Sequence, residues 1–325
     1  MEENIFQHRS EIEKLHQAVT EIKAQLGTAI FGQERTIELM IVGLLCDGHL
    51  LMEGVPGIAK TLLSKLFAKS LNISFKRLQF TPDLMPSDVL GTSIFNPKTL
   101  EFEYKKGPVF GNFILIDEVN RSPAKTQAAL FELMEERQIT MDGITYPMHE
   151  PFIVVATQNP VEQEGTYRLP EAQLDRFLLN IKMGYPSAAD EEAMLRHYAQ
   201  TSTSDVLSQM QAIMTADQLL SLREIVSQVL VEDPLITYIT NIVQATRNHR
   251  NIELGASPRA SIALLKASKA YAAIQERDFV IPDDIKTIGL DTLRHRIMLT
   301  PEAEIEGITT DTLLKELFDT VEIPR

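Results

Sequence analysis

Apolar and polar positions in the first part of the chain follow a helical repeat. Apolar residues recur at steps of three and four, and Gly27 follows the last of them. This spacing predicts a helix over residues 4–26, because it keeps the apolar side chains on one helical face. We expect residues 1–27 to form a helix packed on the next domain, although a coiled-coil arm would show the same pattern. The apolar positions are Ile12, Leu15, Val19, Ile22 and Leu26.

Between residues 28 and 186, short apolar runs alternate with helical patterns. This alternation is typical of an α/β domain built around a parallel sheet. Two predicted hairpins interrupt it, one turned at residues 96–98 and the other at Asp142-Gly143. Insertions of this kind inside a compact α/β unit are usually functional, although a decorating loop is the alternative. The apolar runs predict five strands, at residues 50–52, 73–80, 112–118, 151–159 and 178–183.

The pattern changes at Pro186. Beyond it, strand signals end and helical patterns with capping signals take over, beginning with Ser187 and Asp190 in a capping box. We therefore expect an α/β domain over residues 28–186 and an all-α domain over residues 187–325.

One segment between a predicted strand and a predicted helix has the features of a phosphate-binding loop. Glycines let successive backbone N–H groups turn inward, and the helix N-terminus adds partial positive charge. Lys60 can reach the β- and γ-phosphates of a nucleotide, and the Thr61 hydroxyl can ligate Mg²⁺. The strict pattern has glycine before the lysine, where this chain has Ala59, so a glycine-rich turn with a solvated lysine is the alternative. The segment is Gly54-Val55-Pro56-Gly57-Ile58-Ala59-Lys60-Thr61.

A second segment, residues 112–118, is an apolar run that ends in Asp117 and Glu118. Ligands of open α/β sheets bind beyond the carboxyl ends of the strands. We expect Asp117 to hold the water shell of Mg²⁺ and Glu118 to polarise the attacking water. Alone, such a strand end could be a solvated corner. Together with the phosphate loop, it predicts an ATP site with a hydrolytic base.

Composition narrows the class of protein. The 325 residues suit about two domains, and the formal net charge of −14 argues against a general nucleic-acid-binding surface. Cys46 is the single cysteine, so no internal disulfide can form, and the seven histidines show no metal-ligand spacing. No secretory signal and no apolar run of membrane-spanning length is visible. We expect a cytoplasmic protein.

Taken together in chain order, these motifs resemble those of the MoxR family of AAA+ ATPases. That family lies in the helix-2-insert branch, which includes the magnesium-chelatase ATPase subunit. The resemblance covers about residues 30 to 260. It departs from the family pattern at Arg168, where proline is usual, so Arg168 competes with Arg176 for the role of arginine finger. The matching blocks are residues 54–61, 116–121, 156–160, 169–177 and 257–260.

The resemblance implies roles for residues outside the phosphate loop. Asn159 would be sensor 1, orienting the attacking water, Arg176 the arginine finger, and Arg259 sensor 2, which reports the γ-phosphate to the lid. Phe31 and Gly32 would lie in the segment that lines the adenine pocket.

Each of these roles has a plainer alternative. Asn159 could simply end a strand before Pro160, as asparagine often does in turns. Arg176 could be a surface arginine paired with Asp175, and Arg259 a solvated arginine at a helix end.

The family implies a Mg²⁺-dependent ATPase with a helical lid that assembles into a ring, most simply a hexamer. It also implies a chaperone that matures protein complexes, often with a von Willebrand factor A-domain partner. A chelatase motor has nearly the same core and would differ by its partner subunits. A DNA-remodelling motor should carry basic hairpin tips. The first hairpin offers Lys98, Lys105 and Lys106, but the second has only acidic and neutral residues near Asp142, which makes DNA the weaker choice. A non-hydrolytic switch would lack Glu118.

Overall fold

The computed structural model describes residues 2–159, 167 and 169–324, without the side chains of residues 2–8 and Ser204. Arg168 lies outside the described residues. The strands are β1 (His49–Glu53), β2 (Phe75–Gln79), β3 (Gly91–Asn96), β4 (Glu101–Lys106), β5 (Phe113–Asp117), β6 (Gln138–Met141), β7 (Ile144–Pro147), β8 (Ile153–Gln158), β9 (Phe177–Lys182), β10 (Ile252–Leu254) and β11 (Met298–Leu299).

Helices surround the sheet and form most of the C-terminal region. They are α1 (Glu2–Gly27), α2 (Glu34–Leu45), α3 (Lys60–Ser70), α4 (Pro86–Leu90), α5 (Ala124–Glu136), α6 (Glu171–Leu174), α7 (Ala188–Tyr198), α8 (Thr203–Gln209), α9 (Ala216–Ser227), α10 (Asp233–Asn248), α11 (Pro258–Ile274), α12 (Pro282–Leu293), α13 (Pro301–Ile305) and α14 (Thr310–Thr320). No helix within the described ranges has the length and apolar character needed to cross a membrane.

The predicted five-stranded parallel sheet is confirmed, with the strand order β2-β5-β8-β1-β9. Its central strands are buried, which is why they appear in the sequence as apolar runs. The order places β8 between β1 and β5. The strand that leads into the phosphate loop and the strand that ends at Asp117 therefore lie on either side of β8, with their carboxyl ends at one edge.

Both hairpins are present, as β3–β4 and β6–β7. The two hairpins contact each other. The ring centroid of Tyr104 lies 4.7 Å from that of Tyr146, and the Ser93 hydroxyl donates a hydrogen bond to Asp142. The second hairpin follows α5 directly, so α5 connects the Asp117 strand end to the hairpins.

The C-terminal region is helical, as predicted, and Ser187 caps α7 by accepting a hydrogen bond from the backbone N–H of Asp190. It also contains a short antiparallel pair, β10–β11, that the sequence pattern did not reveal. Strands of two or three residues are too short to show an alternation of apolar and polar positions.

The helical region is bound to the sheet domain by a shared apolar core and by ion pairs. Residues of α1, α2, α3, α11 and α12 belong to one continuous cluster of buried apolar side chains. Arg35 on α2 lies 2.8 Å from Asp291 on α12, and Lys182 at the end of β9 lies 3.1 Å from Asp311 on α14. The two regions therefore share one core.

Acid should destabilise the protein through His49, the first residue of β1. Its buried ring accepts a hydrogen bond from the Val154 N–H and donates one to the Met134 carbonyl. Burial lowers the pKa of His49 from 6.5 to about 4. The unfolded chain therefore binds a proton first, and the free energy of unfolding should fall by about 1.4 kcal/mol per pH unit between these two values.

Urea unfolding of the wild type and of His49→Gln at several pH values would test this. The variant should lose less stability than the wild type on acidification. His295 still titrates in both proteins, because burial lowers its pKa as well. Equal slopes for the two proteins would contradict the assignment to His49.

Candidate active site

The loop between β1 and α3 has the tight curl expected of a phosphate loop. Gly57 has φ 86°, in the left-handed region that glycine adopts without cost. Ala59 has φ 64° and stands where the strict pattern has glycine. A left-handed conformation costs a residue with a Cβ about 1–2 kcal/mol, so the surrounding fold holds Ala59 in a strained position.

Lys60, the first residue of α3, extends back across this loop. Its Nζ donates a hydrogen bond of 2.6 Å to the carbonyl oxygen of Gly54. Burial lowers the pKa of Lys60, whereas the negative charges of Asp117 and Glu118 act to raise it. The ammonium group is thus positioned where the loop backbone and both carboxylates meet.

Asp117 is buried at the end of β5. Its carboxylate accepts a hydrogen bond of 2.6 Å from Arg77 Nε and one of 3.3 Å from the Thr157 hydroxyl. Arg77 lies on β2 and Thr157 on β8, so the two neighbouring strands fix the orientation of this carboxylate.

Glu118 has a backbone conformation that is rare for its residue type, with φ 59°. Its backbone N–H donates to the Thr157 hydroxyl, at 3.0 Å. Its carboxylate accepts a hydrogen bond of 2.7 Å from Gln79 and lies 3.3 Å from Arg121 Nε. Left-handed residues other than glycine persist where the surroundings hold them, often at functional sites.

These residues line a cavity of about 390 Å³, which we call the Lys60 pocket. Asn159, buried just beyond the end of β8, lines it as well. The structure therefore brings together side chains from the loop, from α3 and from the ends of three strands. The members predicted from the sequence are Pro56, Gly57, Ala59, Lys60, Thr61, Asp117, Glu118 and Asn159.

A second cavity of about 450 Å³, the Phe31 pocket, lies on the other side of the phosphate loop. The two cavities share four residues, Pro56, Gly57, Ala59 and Leu62. Its other lining residues are mostly apolar or aromatic, among them Ile30, Phe31, Ile58, Tyr185, Met194 and Tyr198.

Three of the residues predicted to bind the nucleotide line neither pocket. Gly32 instead packs against α7, where an added Cβ would come within 2.8 Å of the Asp190 carboxylate. Gly54 supplies the carbonyl that accepts from Lys60, and Val55 packs against the apolar core.

Oxygen ligands for Mg²⁺ are available in the Lys60 pocket. Among the described residues, no group of three or more His, Cys, Asp or Glu side chains could hold a metal by itself. Mg²⁺ does not require such a cage, because it keeps several waters and is usually bound by one or two carboxylates with substrate phosphates. The Thr61 hydroxyl and the Asp117 carboxylate fit that kind of site.

Arg176 and Arg259 lie together at a different place. Arg176 follows α6, donates to the Phe131 carbonyl, and has its Nε 3.9 Å from a carboxylate oxygen of Glu135. Arg259, at the start of α11, donates to the other oxygen of Glu135 at 2.5 Å. Neither arginine is among the residues that line the Lys60 pocket.

Sequence reasoning missed Arg77, Gln79, Thr157 and Glu135. Arg77 and Gln79 occupy alternate positions of β2, and Gln79 lies opposite Asp117 in the strand register. Alternate polar residues at the end of a strand next to β5 are the signal that could have identified them. Using that signal requires the strand order, which the chain's own pattern did not provide.

Comparisons with known proteins agree with this geometry. Residues 49–179 match the ATPase family associated with various cellular activities (AAA), and residues 244–317 match the AAA lid domain. The chain is 42% identical over 325 residues to "Chaperone MoxR1" of Mycobacterium tuberculosis, covering 97% of this chain and 84% of that protein.

Two further comparisons span nearly the whole chain. The Bacillus subtilis protein YeaC is 46% identical over 312 residues, covering 96% of this chain and 97% of that protein. A crystal structure of a protein from Cytophaga hutchinsonii superposes with a TM-score of 0.91 at 42% identity and covers 99% of both chains.

Proposed function

Because this chain belongs to the MoxR family of AAA+ ATPases, we propose that it is a Mg²⁺-dependent ATPase that works as a ring. The observation that carries the proposal is the convergence of Lys60, Asp117, Glu118 and Asn159 on one pocket beside the phosphate loop. The apolar Phe31 pocket on the other side of that loop supports it, because a purine base and a triphosphate need adjoining sites of these two kinds.

In the proposed complex, adenine lies in the Phe31 pocket and the phosphates are cradled by the N–H groups of the loop and of the first turn of α3. Lys60 exchanges the Gly54 carbonyl for phosphate oxygens, and its positive charge binds them more strongly than a neutral donor would. Thr61 and Asp117 would hold Mg²⁺, which would neutralise charge on the phosphates.

Glu118 polarises the attacking water in this proposal, and Asn159 orients it. The carboxylate of Glu118 now accepts a hydrogen bond from Gln79 and lies beside Arg121. A carboxylate has about four lone-pair sites, so Glu118 can bind a water molecule while it keeps the hydrogen bond from Gln79.

We propose that Arg176 is the arginine finger and Arg259 is sensor 2, and that both act on the nucleotide of a neighbouring subunit. Their common position on Glu135, away from the Lys60 pocket, supports this arrangement. In the loose transition state of phosphoryl transfer, charge gathers on the equatorial phosphoryl oxygens, where a guanidinium fork stabilises it. Hydrolysis would then need an interface between subunits, for which a hexameric ring is the simplest arrangement.

A chaperone role for protein complexes, with a von Willebrand factor A-domain partner, is the wider function we propose. The similarity to the protein named "Chaperone MoxR1" supports the first part. The first hairpin exposes large apolar side chains, with Leu100 75% and Phe102 72% exposed. Such a surface suits contact with a polypeptide better than contact with DNA, whose phosphates favour basic groups.

The domain division expected from the sequence remains part of this proposal. Residues 28–186 would form the ATPase domain and residues 187–325 the lid, with the N-terminal helix of residues 1–27 packed on the core. Several buried residues of α1, including Leu15 and Val19, support the packing of that helix.

Replacing Lys60 tests the nucleotide site directly. Lys60→Ala should weaken ATP binding roughly 10- to 100-fold, because it removes a charge-assisted hydrogen bond worth about 1.5–3 kcal/mol. Titration calorimetry with Mg²⁺ and a non-hydrolysable ATP analogue measures the change. Lys65→Ala, an exposed lysine on the same helix, is the matched control and should bind as the wild type does. Unchanged affinity in Lys60→Ala would contradict the phosphate-loop assignment.

A further inference from the structure

Helix α5 connects the end of the Glu118 strand to the two arginines. A short 3₁₀ turn, Val119–Arg121, leads from Glu118 into α5, and that turn carries Arg121, which contacts the Glu118 carboxylate. The last turns of α5 carry Glu132, Glu135 and Glu136, which line a shallow cavity of about 310 Å³ together with Arg176. One helix therefore spans from the subunit's own catalytic carboxylate to its arginine pair.

Acidic residues are poorly placed at this end of α5. The C-terminus of a helix carries partial negative charge, so carboxylates there are unfavourable by about 0.3–1 kcal/mol each. The last turn of α5 contains no basic residue. Among the described residues, Glu135 is the one of these three that forms an ion pair with Arg176 or Arg259, so the cost at its position favours a role beyond the stability of the helix.

Glu135 is the residue at which both arginines meet. One carboxylate oxygen accepts from Arg259 at 2.5 Å, and the other lies 3.9 Å from Arg176 Nε. Arg176 also donates to the carbonyl of Phe131, one helical turn before Glu135. Helix α5 thus hydrogen-bonds the guanidinium of Arg176 through Phe131 and places the Glu135 carboxylate beside it. The same carboxylate ties Arg259 of the C-terminal region to this site.

Without a carboxylate between them, two guanidinium groups repel each other. Glu135 leaves the three-residue group with a net charge of +1 and fixes the spacing of the two guanidinium forks. The three side chains are 28–51% exposed in the single subunit, where water screens their interaction. At an interface that excludes water, the same charges interact more strongly, and the cation pair suits an oligoanion such as a triphosphate.

We propose that Glu135 is a positioning residue that holds Arg176 and Arg259 side by side for the nucleotide of the adjacent subunit. This proposal rests on the shared active site proposed above. It assigns to α5 a second task, because the helix that starts beside one site's Glu118 also orients the arginines that complete the next site.

Glu135→Gln keeps the size of the side chain and removes its charge. We expect turnover to fall roughly tenfold, which corresponds to the loss of about 1.4 kcal/mol of transition-state stabilisation. ATP affinity of the separate subunit should stay unchanged, because Glu135 does not line the Lys60 pocket. Glu132→Gln and Glu136→Gln remove the same charge from the same end of α5 and should retain wild-type turnover.

Mixing variants distinguishes a role at the neighbour's site from a merely structural one. Glu135→Gln mixed with Glu118→Gln should exceed the activity of either, because mixed rings pair an intact Glu118 site with an intact arginine pair. Glu135→Gln mixed with Arg176→Ala should show no such gain, because both defects lie on the arginine side.

Turnover of Glu135→Gln at or above the wild-type level would overturn the positioning role. Recovery with Arg176→Ala but not with Glu118→Gln would also overturn it, by placing Glu135 on the side of the catalytic carboxylate. If Glu118→Gln and Arg176→Ala fail to complement each other, the shared site itself is wrong and the role of Glu135 falls with it. If Glu118→Gln and Arg176→Ala do complement each other, the shared site stands, and a failure of the results expected for Glu135→Gln counts against its positioning role alone.

Discussion

A Glu118→Gln variant is expected to bind ATP as tightly as the wild type and to hydrolyse it roughly 10²–10⁴-fold more slowly. The amide cannot accept a proton from the attacking water, whereas Asp117 and Lys60 remain in place to hold the nucleotide. The amide group can still hydrogen-bond to Gln79, which now donates to the carboxylate at 2.7 Å, so the loop around Glu118 should keep its conformation.

Calorimetry and a steady-state phosphate-release assay on the same preparation measure both properties. Because binding serves as the internal control, a loss of both would indicate misfolding rather than loss of the base. Near wild-type turnover with normal ATP binding would show that another group polarises the water.

An Arg176→Ala variant is expected to bind nucleotide normally and to lose about 10³–10⁵-fold in turnover, the range for arginine fingers in phosphoryl transfer. Arg176 lies outside the pocket of its own subunit and is held on α5 by Phe131 and Glu135. The loss should therefore appear in the rate and not in the affinity of the single subunit. Wild-type specific activity should rise with protein concentration as rings form.

Arg196→Ala is the matched control for this experiment. Arg196 is an exposed arginine on α7, paired with Glu192 one turn away, and its removal should leave turnover unchanged. If Arg176→Ala retains activity while Arg168→Ala loses it, the finger is Arg168, eight residues earlier in the chain.

Much of the ATPase fold could be predicted because four of the five strands of its parallel sheet are buried on both faces. Strands β5 and β8 consist almost entirely of buried apolar residues and so stand out as runs. The pair β10–β11 could not be predicted, because its stability comes from neighbours distant in sequence and not from a pattern of its own.

The candidate site likewise has a part that could be predicted from the sequence and a part that could not. Lys60, Thr61, Asp117 and Glu118 lie at strand or helix ends with a fixed sequence spacing, so a short pattern predicts their proximity. Gln79 reaches Glu118 only because β2 pairs with β5 in one particular register. The pattern of apolar and polar residues along the chain does not specify the register in which β2 pairs with β5.

Arg259 shows a further limit of sequence reasoning. The sequence block of residues 257–260 predicted that Arg259 lies at the start of a helix in the C-terminal region, and it lies at the start of α11. Its partner Glu135 is 124 residues earlier and belongs to a different domain of the proposed division. Only the fold, which brings the side chain of Arg259 to Glu135 in the last turn of α5, reveals that Arg259 and Arg176 share one carboxylate.

If each active site is built from two subunits, two inactive variants with defects on opposite sides of the interface should restore activity when they are mixed. Glu118→Gln and Arg176→Ala, each inactive alone, are combined under conditions where subunit exchange is confirmed by fluorescence energy transfer between labelled subunits. Some interfaces in mixed rings then join an intact Glu118 site to a neighbour's intact Arg176. We expect ATP hydrolysis well above that of either variant alone, whereas no recovery despite confirmed exchange would show that the active site is not shared between subunits.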